Sequence, residues 1–276
     1  MTIIEMIQSN QLSEALAACK ETVRNKPSDI AARSMLCQLF CFQGDWERAD
    51  TQLATIAQQD PEMMVGVGLI RQLMRGEVAR EQFFAEGATP ELVEDPTPAL
   101  ESMLRALICV RESKNDELIK HTADIQTNSP LLKGTVNGNQ FEQARDLDDF
   151  LSGFLEVLST KGKYFLIPFE SISSIVFREP ERLQDQIWRS ANIEVRGGMQ
   201  GEVYIPTRYC RTLHKDESPS EAILLGGESA WIPLFEEGPV TGQGLKMFGI
   251  GDNAYTIMEL NSLTFENPAE DGQNAD

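Results

Sequence analysis

Histidines, cysteines and clustered carboxylates are where chemistry would reside in this chain, and their spacing argues against most of it. The histidines are His121 and His214. A metal centre needs further ligands at close sequence spacing or on a facing element. His121 lies on a predicted helix and His214 in a charged loop at 211–217, and neither stands in a ligand spacing. Surface or core roles are expected for both, and no metal. The five cysteines, Cys19, Cys37, Cys41, Cys109 and Cys210, show no paired spacing and read as packed, reduced thiols. Cys37 and Cys41 share a helix face, but two thiols alone do not hold zinc.

Other motifs fail on one residue each. Gly227-Glu228-Ser229-Ala230-Trp231 opens like a nucleophile elbow but has tryptophan where the second glycine belongs. Gly242-Gln243-Gly244 and Gly249-Ile250-Gly251 flank a strand candidate, yet no Gly-Lys-Ser/Thr follows to cradle a phosphate. The acids Asp146, Asp148 and Asp149 read as helix caps or a solvated face. Arg178, Arg182, Arg189 and Arg196 form a sparse ladder beside Trp188 that pairs internally or meets an acidic partner. No catalytic, cofactor-binding or metal residue is expected.

The elements that would position these groups come in two kinds. Pro27, Pro61, Pro96 and Pro130 recur about every 34 residues, and Gly44-Asp45-Trp46 leads to Ala49 and then Pro61. Such a period marks helical hairpins of the tetratricopeptide type. The spacing predicts paired helices Ile30–Gln43 and Trp46–Gln59, the glycine ending one and the small Ala49 allowing close crossing. Helix also fits Met64 to Phe84, Ala99–Ser113 and Asn115–Thr127, with an acidic loop at Gly87–Pro98. Gly66-Val67-Gly68 reads as a point of close helix approach.

Repeats of this kind line their inner face with the first helix of each pair and accept a peptide or helix there. The projection puts Ala31, Ser34, Gln38 and Phe42 on that face, with Val65, Gly68 and Gln72 beside them, as a shallow apolar trough.

Past Pro130 the pattern changes. Residues Arg145–Lys161 read as an amphipathic entrance helix, with Phe150, Phe154, Leu155 and Leu158 on one side. Short strands follow at Tyr164–Pro168, Ser174–Phe177, Ile193–Arg196, Gly201–Ile205, Ala222–Leu225, Leu245–Ile250 and Tyr255–Leu260, punctuated by glycine and proline. The fold class is therefore α+β: a TPR-like α-helical repeat domain over 1–130, then a mostly antiparallel β domain over 131–276 with strands mainly in 164–265.

An ordered series of residues in this half resembles a known family. Gly134, Asn137-Gly138 and Phe141 precede Arg145-Asp146-Leu147-Asp148-Asp149; Phe154-Leu155-Glu156-Val157, Tyr164 to Pro168, Pro180 to Trp188, and Gly201 to Pro206 with Tyr209 complete it. These resemble the ImpE family, also called SciE-type or TagJ proteins, accessory components of bacterial type VI secretion. Phe165-Leu166 and Gln184-Asp185-Gln186 depart from the family pattern. The resemblance implies an adaptor without catalysis. It would bind the amino-terminal helix of the small contractile-sheath subunit and be linked to the AAA+ ATPase that disassembles sheaths.

Bulk composition is compatible with that role. A net charge of −19 opposes phosphate backbones and anionic lipid, so nucleic acid and membrane insertion are poor partners. The start, Met1-Thr2-Ile3-Ile4-Glu5, lacks a secretion signal's basic region and apolar core, and a cytoplasmic location is expected. Two rivals remain: a small-ligand enzyme or sensor with its site in the β domain, and a co-chaperone for acidic tails. The neutral trough argues against the co-chaperone, which needs a Lys/Arg-lined groove.

Overall fold

A computed structural model describes residues 1–214 and 218–267. Its amino-terminal part holds α1 Ile3–Gln8, α2 Leu12–Asn25, α3 Ile30–Gln43, α4 Trp46–Gln59, α5 Met64–Glu86, α6 Pro98–Glu112 and α7 Asn115–Asn128. Helix ends are set by local chemistry. The side chains of Asp29, Asp45 and Thr97 accept the Ala32, Arg48 and Leu100 N–H groups, satisfying amides that a helix start leaves free. Gly44 and Gly87 end α3 and α5 in the left-handed region, at φ 73 and 77. Pro27 and Pro96 fall between helices and Pro130 just after α7, while Pro61 opens a 3-10 turn, Pro61–Met63, that leads into α5. Ala15 and Ala49 are fully buried where paired helices cross, as the repeat pattern requires.

One expectation about α5 is reversed. A Cβ built on Gly66 or Gly68 would meet nothing within 4 Å, so neither glycine serves a close approach inside the chain. Glycine within a helix costs about 1 kcal/mol relative to alanine. Gly66→Ala with Gly68→Ala is expected to raise the unfolding free energy by roughly 1–2 kcal/mol in urea denaturation.

The remainder is antiparallel sheet. The strands are β1 Gly134–Val136, β2 Asn139–Phe141, β3 Ala144–Asp146, β4 Phe154–Ser159, β5 Tyr164–Pro168, β6 Ile172–Phe177, β7 Trp188–Val195, β8 Gln200–Pro206, β9 Ser229–Pro233, β10 Val240–Gly244, β11 Met247–Ile250, β12 Asn253–Thr256 and β13 Ser262–Phe265. Eight form one sheet in the order β2-β1-β13-β6-β7-β8-β4-β5; β12-β11-β3 and β10-β9 form smaller sheets. Asn137-Gly138, both at positive φ, make the β1–β2 hairpin turn. The acidic loop before α6 runs beside the edge strand β5, where the Glu91 N–H donates to the Tyr164 carbonyl at 2.9 Å. That contact covers part of an otherwise open sheet edge.

Two local expectations fail. No helix spans Arg145–Lys161: turns lead into β4, whose residues Phe154–Leu158 are all buried. The run is a strand covered on both sides, and a short apolar run of that kind mimics helical spacing. Phe154 and Leu158 join the core shared with the helices, while Leu155 and Val157 join the core of the β half. Ala222–Leu225 is not a strand but most of a short helix, α8 Glu221–Leu225, capped by the Ser220 side chain and ended by Gly226.

The helical core does not stop at the last helix. Phe150, Leu158, Tyr164, Trp188, Tyr204 and Leu225 belong to the same buried cluster as Leu39, Phe42, Leu73 and Phe83. The seam between the halves is therefore a packed interior. Gly76 of α5 illustrates the fit: an added Cβ would lie 3.0 Å from a Leu158 methyl of β4.

Candidate functional site

Charged side chains cross this seam and are almost completely buried. Arg80 of α5 donates from Nε and Nη2 to the two carboxylate oxygens of Glu156 on β4, at 2.7 and 2.8 Å. It also reaches Glu77, one turn back, at 3.1 Å, and the Arg208 carbonyl at 2.8 Å. Glu77 in turn accepts the Trp188 indole N–H at 2.8 Å. On the β side, Lys246 lies 2.7 Å from Glu156 and 3.5 Å from Asp146. Tyr164 donates to Glu156 at 3.0 Å and Tyr209 to Asp146 at 2.7 Å.

Electrostatics follow from this enclosure. Burial alone would raise the Glu156 pKa, but Arg80 and Lys246 outweigh it and hold the carboxyl at about 2. Burial, then Asp146, push Asp148 up to about 7. Three backbone N–H groups, from Phe150, Leu151 and Gly242, oppose that rise. Asp146 is likewise raised by burial, against the pull of Lys246. The result is a chain of charges running from α5 through β4 to the segment between β10 and β11.

A cleft of about 300 Å³ opens above this network. Trp46, Glu81, Arg208, Arg211 and His214 line it, with Glu77 and Arg80 at its wall. Trp46 lies 6.4 Å from Trp188 and donates its N–H to Glu81. Burial lowers Arg208 to about 10; its guanidinium covers the Phe42 ring at 4.8 Å and donates to the Phe42 and Leu224 carbonyls. Residues 215–217 of the expected charged loop lie outside the described residues.

The family-motif residues turn out to be fold determinants, some at this seam and some in the β1–β2 hairpin of the β half. Asp146, Asp148 and Asp149 neither cap nor begin a helix. Asp148 holds the turn before β4, and Asp149 accepts the Val240 N–H while meeting Gln126 of α7 and Arg145. Trp188 and Tyr209 are the buried donors already described. Asn137 ties its hairpin to residues 259–262 through its side-chain amide. Gly134 is forced, since a Cβ there would sit 1.9 Å from the Thr264 carbonyl oxygen. Phe141 packs edge-on to Phe265. Pro168 and Pro206 end β5 and β8. The arginine ladder pairs internally: Arg178 with Glu202, Arg182 with Asp185, and Arg189 and Arg196 with backbone carbonyls.

The projected trough is split by the seam. Phe42 is 2% exposed and covered by Arg208, so it is core and not groove. Gln72 backs against the β4–β5 turn, where its side-chain oxygen would contact a Cβ on Gly162. Ala31 and Val65 are exposed, and Ser34, Gln38 and Gly68 half-exposed. His121 lies on a helix, α7, as expected, and stands with Cys109 and Glu117 across the α6–α7 hairpin.

Sequence reading missed Glu77, Arg80 and Lys246, and met Glu156 only as a member of the family series, without a role. The signal was present in part. Glu156 interrupts the apolar run Phe154–Leu158, and a lone charge in a buried strand needs a buried partner. Nothing local in α5 identified Arg80 as that partner.

Known proteins resemble this chain in sequence and fold. Residues 138–264 match the ImpE protein family, and residues 6–63 match a tetratricopeptide repeat. The type VI secretion system accessory component TagJ of Pseudomonas aeruginosa is 27% identical over 262 residues, 95% of this chain and 90% of that protein. The crystal structure of protein VPA1032 from Vibrio parahaemolyticus superposes with a TM-score of 0.87 at 28% identity, covering 96% of this chain and 97% of that one. The chain thus carries an ImpE domain over residues 138–264, set behind tetratricopeptide-type helices, and is a relative of TagJ.

Proposed function

We infer that this protein is a non-enzymatic accessory adaptor of a type VI secretion apparatus. It takes the first helix of the small sheath subunit against the open ends of α3 and α5, and presents that subunit to the sheath-disassembling AAA+ ATPase. The observation that carries the docking reading is the start of α5. Val65 is 86% exposed and Met64 58%, next to two glycines whose missing side chains leave open space. A helix that gives up propensity at two positions without internal packing is suited to receive another backbone at close range. The relative named as a type VI accessory component supports the system, and the mutually paired charges of the seam support scaffolding over catalysis.

The test is capture of the purified small sheath subunit by the full chain. Removing that subunit's first helix is expected to abolish capture, and Val65→Glu to weaken it at least about tenfold by burying a charge in an apolar contact. Val65→Glu leaves the melting temperature unchanged, because the side chain touches little of its own protein. Undiminished capture after loss of the partner's helix rejects the mechanism.

A further inference from the structure

The turn end of the α6–α7 hairpin brings together three side chains that the function above does not use. Cys109 sits near the end of α6, where its carbonyl accepts the Lys114 N–H at 2.9 Å and closes the helix. Glu117 and His121 are four residues apart on α7 and so share one face. One ligand atom from each, the Cys109 Sγ, a Glu117 carboxylate oxygen and a His121 ring nitrogen, all lie within 4.8 Å of one another.

We propose that Cys109, Glu117 and His121 form a site for a divalent transition metal of the zinc class, clamping α6 to α7. A thiolate, an imidazole and a carboxylate are a donor set that suits a borderline cation over calcium or magnesium, which prefer oxygen alone. Ligand atoms on a tetrahedral zinc stand roughly 3.5 Å apart, given metal–ligand bonds of about 2.0–2.3 Å. Drawing the three groups together therefore takes about one ångström of side-chain movement. The hairpin that carries them is already packed.

A second, independent observation points the same way. The His121 Nδ1 atom is buried without a hydrogen-bond partner among the described residues. The nearest charge to it is an Asp124 oxygen at 3.6 Å, beyond hydrogen-bond reach, so that nitrogen keeps its lone pair or proton unengaged. Lys114, the cation beside Cys109, is engaged by Glu112 at 2.7 Å and does not oppose the site with a free charge. Binding releases the Cys109 thiol proton to the solvent as the metal–sulfur bond forms. Glu117 is exposed, which leaves a coordination position open to water.

The test uses the full chain, stripped with a chelator and titrated with cobalt(II) alone. One equivalent is expected to produce a near-ultraviolet thiolate-to-cobalt absorption that zinc(II) bleaches. Cys109→Ser removes that band, while Cys210→Ser keeps it. Glu117→Gln, on an exposed side chain that leaves folding untouched, lowers cobalt affinity by about tenfold or more. Absence of the band in the parent chain overturns the site, as does its full retention in Cys109→Ser. Unchanged cobalt affinity in Glu117→Gln overturns the assignment of that ligand.

Discussion

Replacing Arg80 by leucine is expected to lower the unfolding free energy by about 3–5 kcal/mol, among the largest losses for one side chain. The cost comes from what stays behind. Glu156 would keep Lys246 and Tyr164 but lose both guanidinium contacts, and Glu77 would keep only the Trp188 N–H. Glu156 is completely buried, so water cannot replace its missing donor, whereas Glu77 at the cleft wall is only partly compensated. Arg80→Lys keeps the charge yet cannot form the two-pronged contact or reach the Arg208 carbonyl as well, and an intermediate loss is expected. Urea denaturation followed by circular dichroism measures both variants. A loss under about 1 kcal/mol for Arg80→Leu would mean that water reaches the network.

The same variant has a signature in acid. Glu156 is held at about 2 in the folded protein, against an ordinary value of 4.5. Its contribution is fully present above that ordinary value and is lost as pH falls through about 2. With Arg80 gone, burial pulls the folded value upward, so the variant unfolds at a higher pH than the parent. Because one hydrophobic cluster includes both α3 and β4, helices and sheet are expected to melt together.

This joint core explains what the sequence disclosed and what it withheld. Repeat spacing is a local property, so the ends of α3 and α4 were readable from Asp29, Gly44, Asp45 and the prolines. The β1–β2 turn was readable from Asn137-Gly138 for the same reason. Apart from Gly66 and Gly68, which face open space, the misreadings gathered where the two halves meet. Phe154–Leu158 has helical spacing in isolation and becomes a strand because two cores compete for its two faces. Asp146 and Asp148 look like helix-start acids, yet they serve a turn and a buried lysine that is distant in sequence. The clustering of Cys109 with His121 was hidden for a simpler reason: the turn between α6 and α7 folds a twelve-residue separation into contact.

Phe42 puts the division between core and docking surface to its sharpest test. Phe42→Ala is expected to cost about 3–5 kcal/mol, and Phe42→Glu to prevent stable folding altogether. The ring is buried at the end of α3 beneath the Arg208 guanidinium, which also binds the Phe42 and Leu224 carbonyls and so joins α3, the end of β8 and α8. Removing the ring empties that junction, and placing a carboxylate there buries a charge beside Glu77 in the same cleft wall. Val65→Glu, at the exposed start of α5, is expected to leave circular dichroism and melting temperature unchanged while weakening capture of the sheath subunit. The contrast separates the two roles. If Phe42→Glu instead stays folded and loses only the partner, the trough runs beneath Arg208, and the seam is an interface that opens for the incoming helix rather than a closed core.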